Sequence, residues 1–211
     1  FDDYFKKLTT GQMDDMEGFR PLKRKILPPL PERGSVFDFY FAPEKKNWIN
    51  WMDTKKVKQT FDPKTAEPEN MLVETLDSVR FSWMIRFSIN HMRPLLFCGP
   101  TGTGKTAYMQ DVLLSLDKDR FDSLSLGFSA QSKCDQTQGL IDSKVDKRRK
   151  GVYGPPVGKK FIVMVDDLNM PTKEIYGAQP PLELMRQLIG SGGWYDLKDK
   201  TWRTIVNTTV L

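Results

Sequence analysis

Histidine and cysteine are almost missing: 211 residues hold one His and two Cys. Cys98 and Cys134 have neither CxxC nor metal-ligand spacing, which excludes a zinc ribbon and a disulfide-stapled scaffold. They read as ordinary thiols inside core elements, suited to a reducing compartment. Long apolar runs are missing too. None approaches the roughly 18 residues of a membrane span, so the expectation is a soluble protein with no membrane partner. Charge of one sign is not in large excess, since 32 basic residues are interleaved with 27 acidic ones for a net +5. That is weak support for any acidic partner, and no nucleic acid is expected. The opening FDDYFKKLTT has neither a signal core nor an initiator Met, and IVNTTVL closes the chain inside a strand-like run. A piece of a longer polypeptide is the expectation.

What is present changes character near residue 70. Residues 1–70 are rich in Pro, Lys and Trp, and read as a linker and β-hairpin region. Arg20–Gly34 carries four prolines, which remove backbone donors and helical angles, so an extended linker is expected. Val36–Phe41 and Trp48–Met52 flank a polar, Pro-containing turn, as a hairpin does. Its Trp48 and Trp51 suit packing on a neighbouring domain better than a ligand platform.

Residues 71–211 alternate helical and strand-like patterns, the signature of a three-layer α/β/α fold with a parallel sheet. The expected order is a helix within Thr75–Met92, a strand Leu95–Cys98 buried on both faces and a helix Thr106–Leu116. A strand Leu124–Ala130, an amphipathic stretch Gln136–Lys150 and a strand Phe161–Val165 follow. A helix Pro180–Gly190, with prolines at its start and a glycine cap, precedes a last strand from Thr204.

Between the first strand and the next helix lies GPTGTGKT, Gly99–Thr106. It satisfies GxxxxGK(S/T) in the strand–loop–helix setting that a phosphate-binding loop requires. Gly99, Gly102 and Gly104 allow angles and close approach that a Cβ obstructs. The N–H groups of Pro100–Ala107, less the proline's, with Thr101 and Thr103 among them, can then face phosphate oxygens. Lys105 can reach the β- and γ-phosphates, and the Thr106 hydroxyl can ligate Mg²⁺. The strand Phe161–Val165 ends on Asp166-Asp167, the placement of a Walker B pair. Asp166 can hold Mg²⁺ while Asp167 polarises the attacking water. Many ATPases of this type have Glu at the second position. Asp is one methylene shorter, so binding of ATP or ADP is expected, with slow or absent hydrolysis.

Longer strings carry more information than the loop. Tyr153–Ile189, with DDLNMP and YGAQPP, resembles the Walker B region of the third AAA+ module in axonemal dynein heavy chains. Gly99–Tyr108, Val73–Arg80, Gly192–Asp199 and the Trp-bearing hairpin are similar to the same module. The resemblance implies an AAA+ large subdomain in a ring of six modules, with a regulatory nucleotide site here and the main ATPase in the first module. It further implies neighbouring modules of the same heavy chain, dynein intermediate and light chains, and microtubules reached through a remote domain. The implied setting is cytoplasmic and cytoskeletal, in the axoneme of a cilium or flagellum. The family's adenine-facing segment maps onto Leu72 and Val73, where an apolar pair can sandwich the base. The chain ends before the family's sensor-1 residue and helical lid.

Two other readings stay open. One is a different AAA+ machine acting on nucleic acid or protein, supported only by the basic run Lys144, Lys147, Arg148, Arg149 and Lys150. That run is also what a solvated helix end looks like. The other is a degenerate module that holds nucleotide without turnover, motivated by Asp167. His91 has no partner cluster nearby in sequence and reads as structural.

Overall fold

A computed structural model describes Asp2, Lys6, residues 28–54 and residues 73–211. The chain divides into two compact units, Phe1–Arg80 and Phe81–Leu211.

In the first unit, Pro28–Gly34 has no regular structure, as four prolines in fifteen residues predict; residues 20–27 of that stretch lie outside the described residues. A hairpin follows, with β1 (Phe39–Ala42) antiparallel to β2 (Asn47–Asn50). It starts later than the aromatic alternation suggests. Ser35 and Asp38 cap each other's backbone and wind Val36–Asp38 into a 3-10 turn. At the hairpin's other end Trp51–Thr54 is also 3-10. The tryptophans pack inside this unit: Trp51 stacks on Tyr40 at 4.8 Å, and Trp48 meets Phe41 edge-on at 5.4 Å. The Trp48 indole also donates to the Pro28 carbonyl at 2.9 Å, while Leu30 is buried. The hairpin thus covers its own proline-rich segment.

Helix α1 (Leu76–Asn90) starts at a reciprocal cap in which the Thr75 amide donates to Ser78 Oγ at 2.8 Å and the Ser78 amide to Thr75 Oγ1 at 3.2 Å. Three further helices are α2 (Lys105–Leu114), α3 (Cys134–Asp142) and α4 (Pro180–Ser191). Prolines occupy the first turn of α4, and its left-handed C-cap is Gly192 rather than Gly190. The central sheet is parallel, in the order β3 (Phe121–Gly127), β6 (Lys160–Asp166), β9 (Thr208–Val210).

Strand β6 explains the layering. Its residues Phe161, Ile162, Val163 and Met164 are all buried, and period-2 alternation sends them to opposite faces. Phe161 and Val163 join Ile141 of α3 and Leu184, Met185 and Leu188 of α4 in one core. Ile162 and Met164 join Ile85 and Ile89 of α1 and Met109 and Val112 of α2 in the other. Each fully buried side chain of this size contributes roughly 1.5–3 kcal/mol. The three-layer α/β/α arrangement follows.

Four expectations need correction. Among the described residues Leu95–Cys98 does not pair as a strand: one backbone bond joins it to β9, from the Leu95 amide to Val210 O at 3.2 Å. Leu96 is 67% exposed and Cys98 is exposed, so one face is open and the Cys98 thiol is no core group. The run from Thr204 is two strands, because Asn207 takes a left-handed φ of 54° and separates β8 (Trp202–Ile205) from β9. The strand expected over Leu124–Ala130 begins three residues earlier, at the buried Phe121, and ends on Gly127. Finally, only Lys144 of the basic run sits at a helix end, its amide closing the last turn of α3 on Ile141 O at 3.0 Å, whereas Lys147, Arg148 and Arg149 do not. These three lie in β4 (Asp146–Arg149), bulged between Lys147 and Arg149, which turns back into β5 (Val152–Gly154).

These strands belong to a second, mixed sheet ordered β4-β5-β8-β7, with β7 spanning Gly193–Tyr195. β4 is its edge, where a row of cations opposes pairing with a stray strand. The sheet is fastened by Arg203, which pairs with Asp142 of α3 at 3.0 Å and with Asp196, and lies over the Tyr153 ring at 4.9 Å. The Asp199 amide, helped by the Lys198 amide and Arg203, holds the Asp196 carboxyl below the usual aspartate range against the opposing effect of burial. Such a group stabilises the fold above its unfolded pKa and loses that contribution as pH falls through its lowered folded value. Asp142 has the opposite sign, since burial outweighs Arg203 and pushes its carboxyl up; its contribution is present at low pH and lost on the way up. An Asp196→Asn variant is expected to melt below the wild type at neutral pH, with the gap closing as pH falls below about 4. Thermal melts from about pH 3 to pH 7 check this.

Candidate functional site

The phosphate-loop residues lie between Phe97 and the first turn of α2. Gly102 and Gly104 have φ of +80° and +77°, the left-handed region that favours glycine. Gly104 is the N-cap of α2 and supplies no side-chain cap, so the first amides of the helix, at Lys105, Thr106 and Ala107, have no capping side chain. That is the local arrangement an anion at a helix N-terminus exploits. Gly99 does not have a positive φ, and a Cβ there would meet nothing closer than 3.9 Å; its glycine is not required by the loop's own packing. The Lys105 ammonium folds back on the loop, donating to Gly99 O at 3.0 Å, to Pro100 O at 2.6 Å and to Thr103 Oγ1 at 3.4 Å. Thr103 Oγ1 itself donates to Pro100 O at 3.0 Å. Thr101 and Ala107 are exposed.

The second half of the site comes from the C-terminal end of β6. Thr106 Oγ1 donates to Asp166 Oδ1 at 3.2 Å, across sixty positions of sequence. The same oxygen accepts the Asp167 amide at 3.0 Å. A hydroxyl and a carboxylate side by side are hard oxygen donors, the set that suits Mg²⁺. Asp167 is exposed and has a φ of 53°. Asp and Asn populate this region more readily than other side-chain-bearing residues, at a strain of order 1 kcal/mol. A turn closed by the Met170 amide on Asp167 O, at 2.9 Å, begins there. The loop beyond is tied to the one after β3 by Thr172, whose amide and hydroxyl both donate to Ala130 O, at 3.3 and 2.7 Å.

The structure therefore brings Thr106 and Asp166 into contact and sets Lys105 and Asp167 on the adjoining loop and strand end. Val73 is 66% exposed and belongs to the first unit, while Leu72 falls outside the described residues. His91 has a local role: its Nδ1 lies 2.8 Å from Phe87 O, with the Phe87 ring 4.2 Å away. Sequence reasoning missed Tyr108, whose ring packs on Gly104; the i,i+4 spacing from Gly104 was the available signal.

Residues 60–211 match the family described as the P-loop containing dynein motor region, and residues 1–53 match the dynein heavy chain AAA lid domain. The chain is 41% identical over its whole length to dynein axonemal heavy chain 12 of Rattus norvegicus, and 43% identical, again over its whole length, to dynein axonemal heavy chain 3 of Mus musculus. Over 72% of its length it is 50% identical to dynein axonemal heavy chain 1 of Rattus norvegicus. It spans only 7%, 5% and 3% of those three relatives. With a P-loop joined to a Walker B carboxylate on a parallel sheet, and with these matches over its full length, the chain belongs to the dynein motor region family, as an AAA+ segment of axonemal dynein heavy chain type.

Proposed function

We propose that the chain is the third AAA+ module of an axonemal dynein heavy chain, a regulatory site for ATP or ADP with Mg²⁺. The contact between Thr106 and Asp166 carries this reading, because it joins the two Walker motifs that the sequence separates. Mg²⁺ would be held by Thr106 and Asp166, and when bound it neutralises phosphate charge. Gly99–Ala107 would cradle the phosphates, with Lys105 exchanging its loop carbonyls for phosphate oxygens. Leu72 and Val73 as adenine contacts rest on the resemblance, and the division into a linker and hairpin at 1–70 and a nucleotide-binding subdomain at 71–211 rests on the change of composition near residue 70. The relatives' axonemal names support a place in the cytoskeleton of cilia or flagella. Neighbouring modules, intermediate and light chains, and microtubules reached through a remote domain are the partners this reading entails. The nucleic-acid alternative has no support among the matched families, and the degenerate-module alternative has none either.

Calorimetric titration of the chain with ATP and with ADP, both with Mg²⁺, tests the reading. Micromolar or tighter binding is expected, and a folded chain that binds neither nucleotide would overturn it. Asp167 would polarise the attacking water with a carboxylate one methylene short of glutamate's reach. Turnover is accordingly expected to rise roughly tenfold or more in Asp167→Glu, since a misplacement near 1 Å can cost on the order of a hundredfold. Steady-state phosphate release in the complete heavy chain reads this, with Asp167→Asn as the inactive control.

A further inference from the structure

We propose that Tyr108 is the positioning residue of the phosphate loop, acting through Gly104; the proposal rests on the nucleotide-site reading above. A Cβ placed on Gly104 would lie 3.2, 3.3 and 3.4 Å from Tyr108 Cζ, Cε2 and Oη. A Cβ at Gly104 would therefore press on the ring edge, and the ring would have to give by a few tenths of an ångström to admit one. The Tyr108 amide closes the same turn, donating to Gly104 O at 3.0 Å. Gly104 is the left-handed pivot from which Lys105 and Thr106 depart, so whatever fixes its position fixes theirs.

The ring has backing. Tyr108 meets Phe81 of α1 at 6.0 Å between ring centroids, and Phe81 meets Phe97 edge-on at 5.5 Å. Phe97 stands two residues before Gly99. Three rings thus link the residue entering the loop with the helix leaving it. Phe97 and Tyr108 both pack against the buried cluster containing Ile85 and Met109. Among the described residues Leu95–Cys98 makes one backbone bond to the sheet, from the Leu95 amide, so side-chain packing, this aromatic clasp included, does for the loop's entry what a strand ladder does elsewhere. Among the described residues the Tyr108 hydroxyl has no hydrogen-bond partner, and the ring is the part that acts.

Two measurements test this. In titrations with Mg²⁺, Tyr108→Ala is expected to weaken ADP binding roughly tenfold, the scale of a small misplacement of phosphate donors. AMP, which lacks the β-phosphate that Lys105 reaches, is expected to change little, so the ADP-to-AMP affinity ratio narrows. Tyr108→Phe should bind as the wild type does. A general loss of stability would not alter that ratio. Without nucleotide, hydrogen exchange is expected to rise at amides 101–107 in Tyr108→Ala and to stay unchanged at Phe161–Val165. If alanine prevents folding, Tyr108→Leu keeps apolar volume without a flat ring, and the same shifts are expected. An unchanged ADP affinity, unchanged exchange in the loop, or a Phe variant as impaired as the Ala variant would each overturn the proposal. A wild type that binds no nucleotide would sink the nucleotide reading instead, and the exchange measurement would still decide what the ring does.

Discussion

Lys105→Ala is expected to weaken ADP and ATP binding by about 100-fold or more, while the melting temperature of the nucleotide-free chain moves little. A hydrogen bond to a charged group is worth about 1.5–3 kcal/mol, and phosphate contacts are at the strong end; the upper figure corresponds to roughly two orders of magnitude in Kd. The small effect on folding follows from where the ammonium sits. Its present acceptors, Gly99 O, Pro100 O and Thr103 Oγ1, belong to an exposed loop, and water can replace it there. Calorimetry with and without Mg²⁺, beside a thermal melt, reads both quantities. Equal affinity in the two proteins would mean that the ammonium stays on its loop carbonyls and never engages phosphate.

The second large effect lies away from the loop. A methyl group on Gly193 would stand 2.1 Å from the backbone oxygen of Arg203 and 3.0 Å from its carbonyl carbon and from Thr204 Cα. All of these are backbone atoms of β8, which cannot step aside without unzipping from β7. Gly193→Ala is expected to cost at least about 3 kcal/mol, at or beyond the usual upper range for overpacking. In a chain of this size that lowers the melting temperature by about 6–12 °C. Gly190→Ala, three residues away, meets nothing within 4 Å and stands inside α4. It is expected to stabilise by up to about 1 kcal/mol through helix propensity. Opposite signs from neighbouring glycines, read by denaturant or thermal unfolding, separate steric crowding from backbone freedom. A Gly193→Ala protein that melts with the wild type would show that β7 and β8 are not paired as described.

Much of this was legible in the residues. β6, α2 and α4 carry their periods plainly, α4 shows its prolines at the start although its glycine cap is Gly192 and not Gly190, and Gly102 and Gly104 take the angles that a phosphate loop implies. Harder to see was the second sheet, because its strands are three or four residues long and a charged stretch such as Asp146–Arg149 has no apolar alternation to display. The split after Ile205 depends on one left-handed Asn, and apolar runs do not show where the backbone changes hand. At Leu95–Cys98 four apolar residues suggested burial on both faces. Among the described residues one backbone bond, from the Leu95 amide, joins them to the sheet, and Leu96 faces out. The pairing of Thr106 with Asp166 could be expected from the two motifs, whereas the i,i+4 spacing of Tyr108 from Gly104 does not reveal the Phe81 and Phe97 rings behind it.

One consequence of the layering concerns movement. β6 is wedged between two hydrophobic cores, so sliding it along its axis disturbs both at once, and Asp166 at its tip is the stationary member of its pair. Thr106 rides on α2, which is anchored in one core alone. The distance between hydroxyl and carboxylate therefore depends on how α2 is seated in that one core.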